Sequence, residues 1–116
     1  MTADLVAFLH ARLDEDEATQ KGLNDWHAVD CESLPDGYRI TFGCDCGVPA
    51  RMLAEVEAKR KILSDLEKAE FSLSCAGIGT RPHDLLTGAV NSLRRVARLL
   101  ALPYADHPDY REEWRP

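Results

Sequence analysis

The chain has 116 residues, 45% of them hydrophobic and 29% charged, with a net charge of −6. That length fits one domain with a single core, and the composition is that of a globular chain, not a disordered one. No apolar run approaches the ~20 residues a membrane span needs, and the acidic start lacks the basic-then-apolar pattern of a signal peptide, so a cytoplasmic protein is expected.

The charge is unevenly placed. Residues 1–47 carry ten acids and three bases, 48–103 six acids and nine bases, and 104–116 four acids and two bases. A general nucleic-acid binder needs a net basic face to displace counterions, so that class is disfavoured and only a local basic stripe remains open.

Taken in order, Leu5, Val6, Phe8, Leu9 and Leu13 recur at helical spacing and predict a first helix over 3–21, with Asp4 near its positive end and Gly22 as the stop. The run Asp14-Glu15-Asp16-Glu17 sits toward the negative end of that helix, where acids must be solvated or paired with bases. Residues 26–46 predict a β-hairpin about the Asp36-Gly37 turn. Its preferred register places Cys31 opposite Phe42, Val29 opposite Cys44 and His27 opposite Cys46. Pro49 then opens a second helix over 49–71, with Leu53, Val56, Leu63 and Leu66 on one stripe. Residues 72–81, rich in Gly and Ser, are expected to form a loop. A third helix follows over 82–102, with Leu86, Val90, Leu93, Ala97 and Leu100 as its seam, and Pro103 prevents continuation. The tail, 103–116, is expected to turn at Pro108 and to fold Tyr104, Tyr110 and Trp114 back on the helices, leaving Asp106, Asp109, Glu112 and Glu113 outside. The predicted fold is therefore α+β but mostly helical: a three-helix bundle with an inserted β-hairpin and a C-terminal aromatic tail.

One constellation suggests chemistry. Zinc needs about four N or S ligands converging on a tetrahedron. The hairpin register brings His27 beside Cys46 and Cys44, and Cys75 from the loop or His83 from the third helix can complete a set, giving His27, Cys44, Cys46 and Cys75 as candidate ligands of a structural zinc ion. Buried or free thiols are the competing reading. No phosphate-binding glycine loop, His-Glu-x-x-His motif or nucleophile elbow is present in the sequence. Arg94, Arg95 and Arg98 form a stripe on the third helix that can meet nucleic acid or an acidic partner, against the simpler reading that it pairs with the first helix's acids or faces water.

Three blocks, LALPYADHPDYREEWRP at 100–116, PARMLAEVEAKRKIL at 49–63 and DLVAFLHARLDEDE at 4–17, resemble a family of short proteins of unknown activity encoded by actinobacteria and their bacteriophages. The resemblance covers about forty-six residues. It implies a bacterial or phage cytoplasm and a central hairpin and loop more variable than the helices, and it supplies no catalytic residues. The reading that follows is a non-enzymatic accessory module that binds a protein partner or itself, with Tyr104, Tyr110 and Trp114 as candidate contacts beside the arginines. The alternative is a zinc-stabilised regulator touching nucleic acid through Arg94, Arg95 and Arg98.

Overall fold

The computed structural model describes residues 2–21 and 48–116, and within them the architecture is helical. Helix α1 spans Thr2–Lys21, α2 Val48–Cys75 and α3 Arg81–Ala101, followed by 3₁₀ turns at Leu102–Tyr104 and Glu112–Trp114. The β-hairpin expected over 26–46 lies outside the described residues, and no strand occurs among those described.

The bundle follows from where the apolar stripes point. Leu5, Leu9 and Leu13 of α1 meet Val56, Leu63 and Leu66 of α2 and Ala97 and Ala101 of α3 in one buried cluster that also takes in Trp114. Alanines on α3 keep its seam narrow, so the leucines of the other two helices fill the space between the axes. Interhelical ion pairs fix the directions. His10 lies 3.3 Å from Glu67, and Arg60 reaches Asp14 at 2.7 Å and also Glu17, so α1 and α2 run antiparallel. Arg94 of α3 meets Glu70 of α2 at 3.0 Å.

The second helix runs to Cys75, four residues beyond the expected end at Phe71. The serines behind that expectation do not leave the helix. The Ser74 hydroxyl donates to the Phe71 carbonyl at 2.6 Å, satisfying itself within the last turn. The connector to α3 is correspondingly short. Thr80 N–H donates to Gly77 O at 3.1 Å, and Gly79 occupies the turn with φ +84°, a region that favours glycine. Thr80 then caps α3: its hydroxyl accepts from His83 N–H at 3.4 Å, and Pro82 sits in the first turn where no donor is needed.

Candidate functional site

The described residues concentrate their unusual chemistry where the tail crosses α1. Phe8 is the anchor. It is buried, and the rings of Tyr104, His107, Tyr110 and Trp114 all lie around it, with centroids 6.4, 5.7, 6.0 and 5.1 Å away. The first three meet it edge-on, the arrangement that aligns a positive ring edge with a negative face. Tyr110 and Trp114 also stack edge-to-face at 5.7 Å.

The tail reaches this position through successive tight turns. His107 N–H donates to Tyr104 O at 2.9 Å, Tyr110 N–H to His107 O at 2.9 Å, and Trp114 N–H to Arg111 O at 3.0 Å. The turn expected to start at Pro108 is a chain reversal over 107–110 instead, and the helical turn comes later, at Glu112–Trp114. Within the 107–110 turn, His107 Nδ1 accepts from Asp109 N–H at 3.0 Å.

Arg12 clasps the same turn. Its guanidinium stands 5.1 Å from the Phe8 centroid, donates to Glu15 at 2.9 Å, meets His107 Nδ1 at 2.7 Å and lies 3.9 Å from the Asp109 carboxylate. An arginine this buried (7% exposed) needs such partners to offset its desolvation. Tyr104 adds a bond of 2.5 Å to Asp16, and burial, reinforced by that bond, pushes its phenol well above the ordinary tyrosine range. Arg111 pins the far edge, 2.9 Å from Asp4 and stacked 5.4 Å from the Trp114 ring. The His107 ring is engaged by the Arg12 guanidinium, which reaches both of its nitrogens, and by Asp109 N–H, so it acts as a fastener here.

The acidic run of α1 is thereby accounted for. Asp14 and Glu17 face Arg60, Glu15 faces Arg12, and Asp16 accepts from Tyr104. None of the α3 arginines takes part. Arg94 is engaged by Glu70, whereas Arg95 and Arg98 are exposed and have no carboxylate partner among the described residues. Arg94 and Arg98 line an open hollow of about 380 Å³ with Thr2, Leu5, Glu113 and Trp114.

The sequence-predicted site residues therefore separate. Trp114 is buried, Tyr104 and Tyr110 are half-buried in the lid, and Asp106, Asp109, Glu112 and Glu113 are exposed. Cys75 is an exposed thiol at the end of α2, its sulfur 3.9 Å from the Ser74 hydroxyl. His27, Cys44 and Cys46 lie outside the described residues, and among the described ones no group of three or more His, Cys, Asp or Glu side chains is placed to hold a metal ion. No described helix is long and apolar enough to cross a membrane. Sequence reasoning missed Arg12, whose signal was its spacing: four residues after Phe8 and three after Leu9, it falls inside the apolar stripe.

Fold and site together define a small helical bundle closed by a C-terminal aromatic lid. No curated protein and no solved structure matches the chain. It belongs to DUF6221, a family of unknown function, which matches residues 2–116.

Proposed function

We propose that the chain is a non-enzymatic interaction module that binds a protein partner in a bacterial or phage cytoplasm. The observation that carries this reading is the apolar end of the α2–α3 pair: Phe71 is 70% exposed and Ile78, at the turn, 91% exposed. The chain buries a tryptophan in its tail yet leaves these two large side chains in water, which is unfavourable unless another surface covers them. The tail aromatics, by contrast, are spent on the lid, so the contact surface is assigned to the helices and not to Tyr104, Tyr110 or Trp114.

The test is affinity capture from a bacterial lysate on immobilised wild-type chain and on a Phe71→Glu/Ile78→Glu variant, compared by quantitative mass spectrometry. Both positions are exposed, so the variant is expected to fold as the wild type does. A protein retained by the wild type and lost from the variant is the expected result. Equal retention on both overturns the reading.

A second reading, a zinc-stabilised regulator that contacts nucleic acid, draws its support from Arg95 and Arg98, which lack carboxylate partners among the described residues. Its zinc ligands would be His27, Cys44, Cys46 and Cys75. It is weaker, because Arg94 is already paired and the few guanidiniums of α3 without carboxylate partners among the described residues displace few counterions.

A further inference from the structure

Helix α3 has more apolar surface than the bundle uses. At 100° per residue, its buried residues Val90, Ala97 and Ala101 occupy one narrow line. Leu85, Ala89, Ser92, Val96 and Leu99 occupy a second line within an arc of about 80°, centred about 140° away from the first. Leu85 is 65% and Leu99 46% exposed, Ala89 and Ser92 are exposed, and Val96 is half-buried. On α2, half-buried Ile62 and Ala69 lie away from Arg60 and Glu67, the residues that face α1, and so extend the same outer side of the helix pair.

Gly88 adds an independent observation. A glycine inside a helix weakens it, and a close intramolecular neighbour is the usual reason to keep one. Here a Cβ at position 88 would meet nothing within 4 Å. Nothing among the described residues requires the glycine, yet it adjoins the exposed stripe, next to Ala89 and one turn from Ser92. Small residues at such a point let a second helix backbone approach closely. Charge then indicates which helix. Arg95 has no carboxylate partner among the described residues, and Asp84, its side chain 80% exposed, has only the adjacent His83 at 4.0 Å. Both fall on the same flank of the stripe, on opposite sides of a centre at Ala89–Val90, beside Gly88. A two-fold axis through that centre, perpendicular to the helix, brings Arg95 of one chain level with Asp84 of the other.

We infer that the outer face of α2 and α3 is a homodimer interface: two chains pack antiparallel with their α3 helices crossing at Gly88–Ala89–Ser92, and Arg95 pairs with Asp84 of the second copy. From Leu85 to Leu99 the face is about 21 Å long over four turns and about 20 Å wide over two helices, which gives roughly 840 Å² buried in total, the size of a weak, transient interface. A face of this size gives a weak dimer whose population depends on concentration. This inference rests on the interaction-module reading and specifies one partner, the chain itself, on a face distinct from Phe71 and Ile78.

Sedimentation velocity of the full chain from about 1 to 500 μM tests it, with circular dichroism as the folding control. The wild type is expected to shift from monomer to dimer across that range. Gly88→Gln fills open space within its own chain and improves helix propensity, so it should melt no lower than the wild type while weakening the dimer at least about tenfold. Arg95→Asp and Asp84→Arg should each weaken it, and the double exchange should restore it, because the charges are reversed but still opposite. A wild type that stays monomeric throughout, a Gly88→Gln chain that dimerises as well as the wild type, or a double exchange without recovery overturns the inference. Monomeric behaviour combined with partner capture that depends on Phe71 and Ile78 discards the dimer and leaves the interaction-module reading standing.

Discussion

Replacing Trp114 by alanine asks whether the lid contributes to the stability of the bundle. The indole is 5% exposed, rests 5.1 Å from Phe8 and 5.7 Å from Tyr110, and carries Arg111 over its face. A buried tryptophan removes up to about 250 Å² from water, worth at most about 5–6 kcal/mol, and each ring pair adds about 0.5–1.5 kcal/mol. Against this, Nε1 of Trp114 is buried without a hydrogen-bond partner among the described residues, and releasing it returns about 1–3 kcal/mol. Part of the area is also already buried in the unfolded chain. The net expected loss is about 3 kcal/mol, within the range for deletion of a buried aromatic. For 116 residues at about 2.1 cal/mol/K each, that corresponds to a fall in Tm of roughly 12 °C. Urea titration followed by far-UV circular dichroism measures the loss directly, and the slope reports whether the tail unfolds with the helices. A loss below about 1 kcal/mol with an unchanged slope would mean that the lid is not packed in solution, and the reasoning built on Phe8 would fail with it.

Arg12→Ala should cost about 2–3 kcal/mol in the same assay, because it removes the clasp on His107 and Glu15 together with the packing over Phe8; a cost near zero would make the clasp incidental. Tyr104 has a raised folded-state pKa, so its contribution is complete below the ordinary tyrosine pKa near 10 and declines as pH rises beyond it. The wild type should therefore lose stability above about pH 10 more steeply than Tyr104→Phe, and parallel curves for the two proteins would refute the assignment to this side chain. Mobility-shift assays at physiological salt should show no retardation of double-stranded DNA, given a net charge of −6 and only Arg81, Arg95 and Arg98 of α3 without carboxylate partners among the described residues; a shift abolished by Arg95→Ala/Arg98→Ala would favour the nucleic-acid reading. A zinc ion held by His27, Cys44, Cys46 and Cys75 requires one metal equivalent in native mass spectrometry that disappears in Cys75→Ser, and a metal-free mass after growth in zinc-supplemented medium removes that ligand set.

The three helices were legible because burial imposes a period. Leu5, Leu9, Leu13, Val56, Leu63 and Leu66 announce their faces by spacing alone, and all are buried. The tail was legible in outline, since Tyr104, Tyr110 and Trp114 are too large and apolar to leave in water beside four acids. What spacing does not encode is partner choice. Nothing in the order of residues couples Arg12 to His107, because their contact bridges elements that each look complete alone. The end of α2 was misjudged for a related reason: Ser72 and Ser74 favour loops when their hydroxyls compete with the backbone, and here Ser74 bonds back into its own turn. For the arginines of α3 the sequence left pairing with the acids of α1 or exposure to water; Arg60 and Arg12 occupy those acids, and Arg95 and Arg98 are exposed.

Phe8 and Trp114 belong to opposite ends of the chain, and the neighbouring Asp4–Arg111 pair joins residues 107 apart in sequence. Ribosomal synthesis delivers the first of these long before the last. Until Trp114 emerges, the apolar face around Phe8 has no lid, so the nascent chain presents an adhesive helix to whatever surrounds it. Contacts of such separation also form late, after the intervening chain has paid its closure entropy. An interval of exposed apolar surface during synthesis is thus the consequence of placing Trp114 more than a hundred residues after Phe8, the residue it covers.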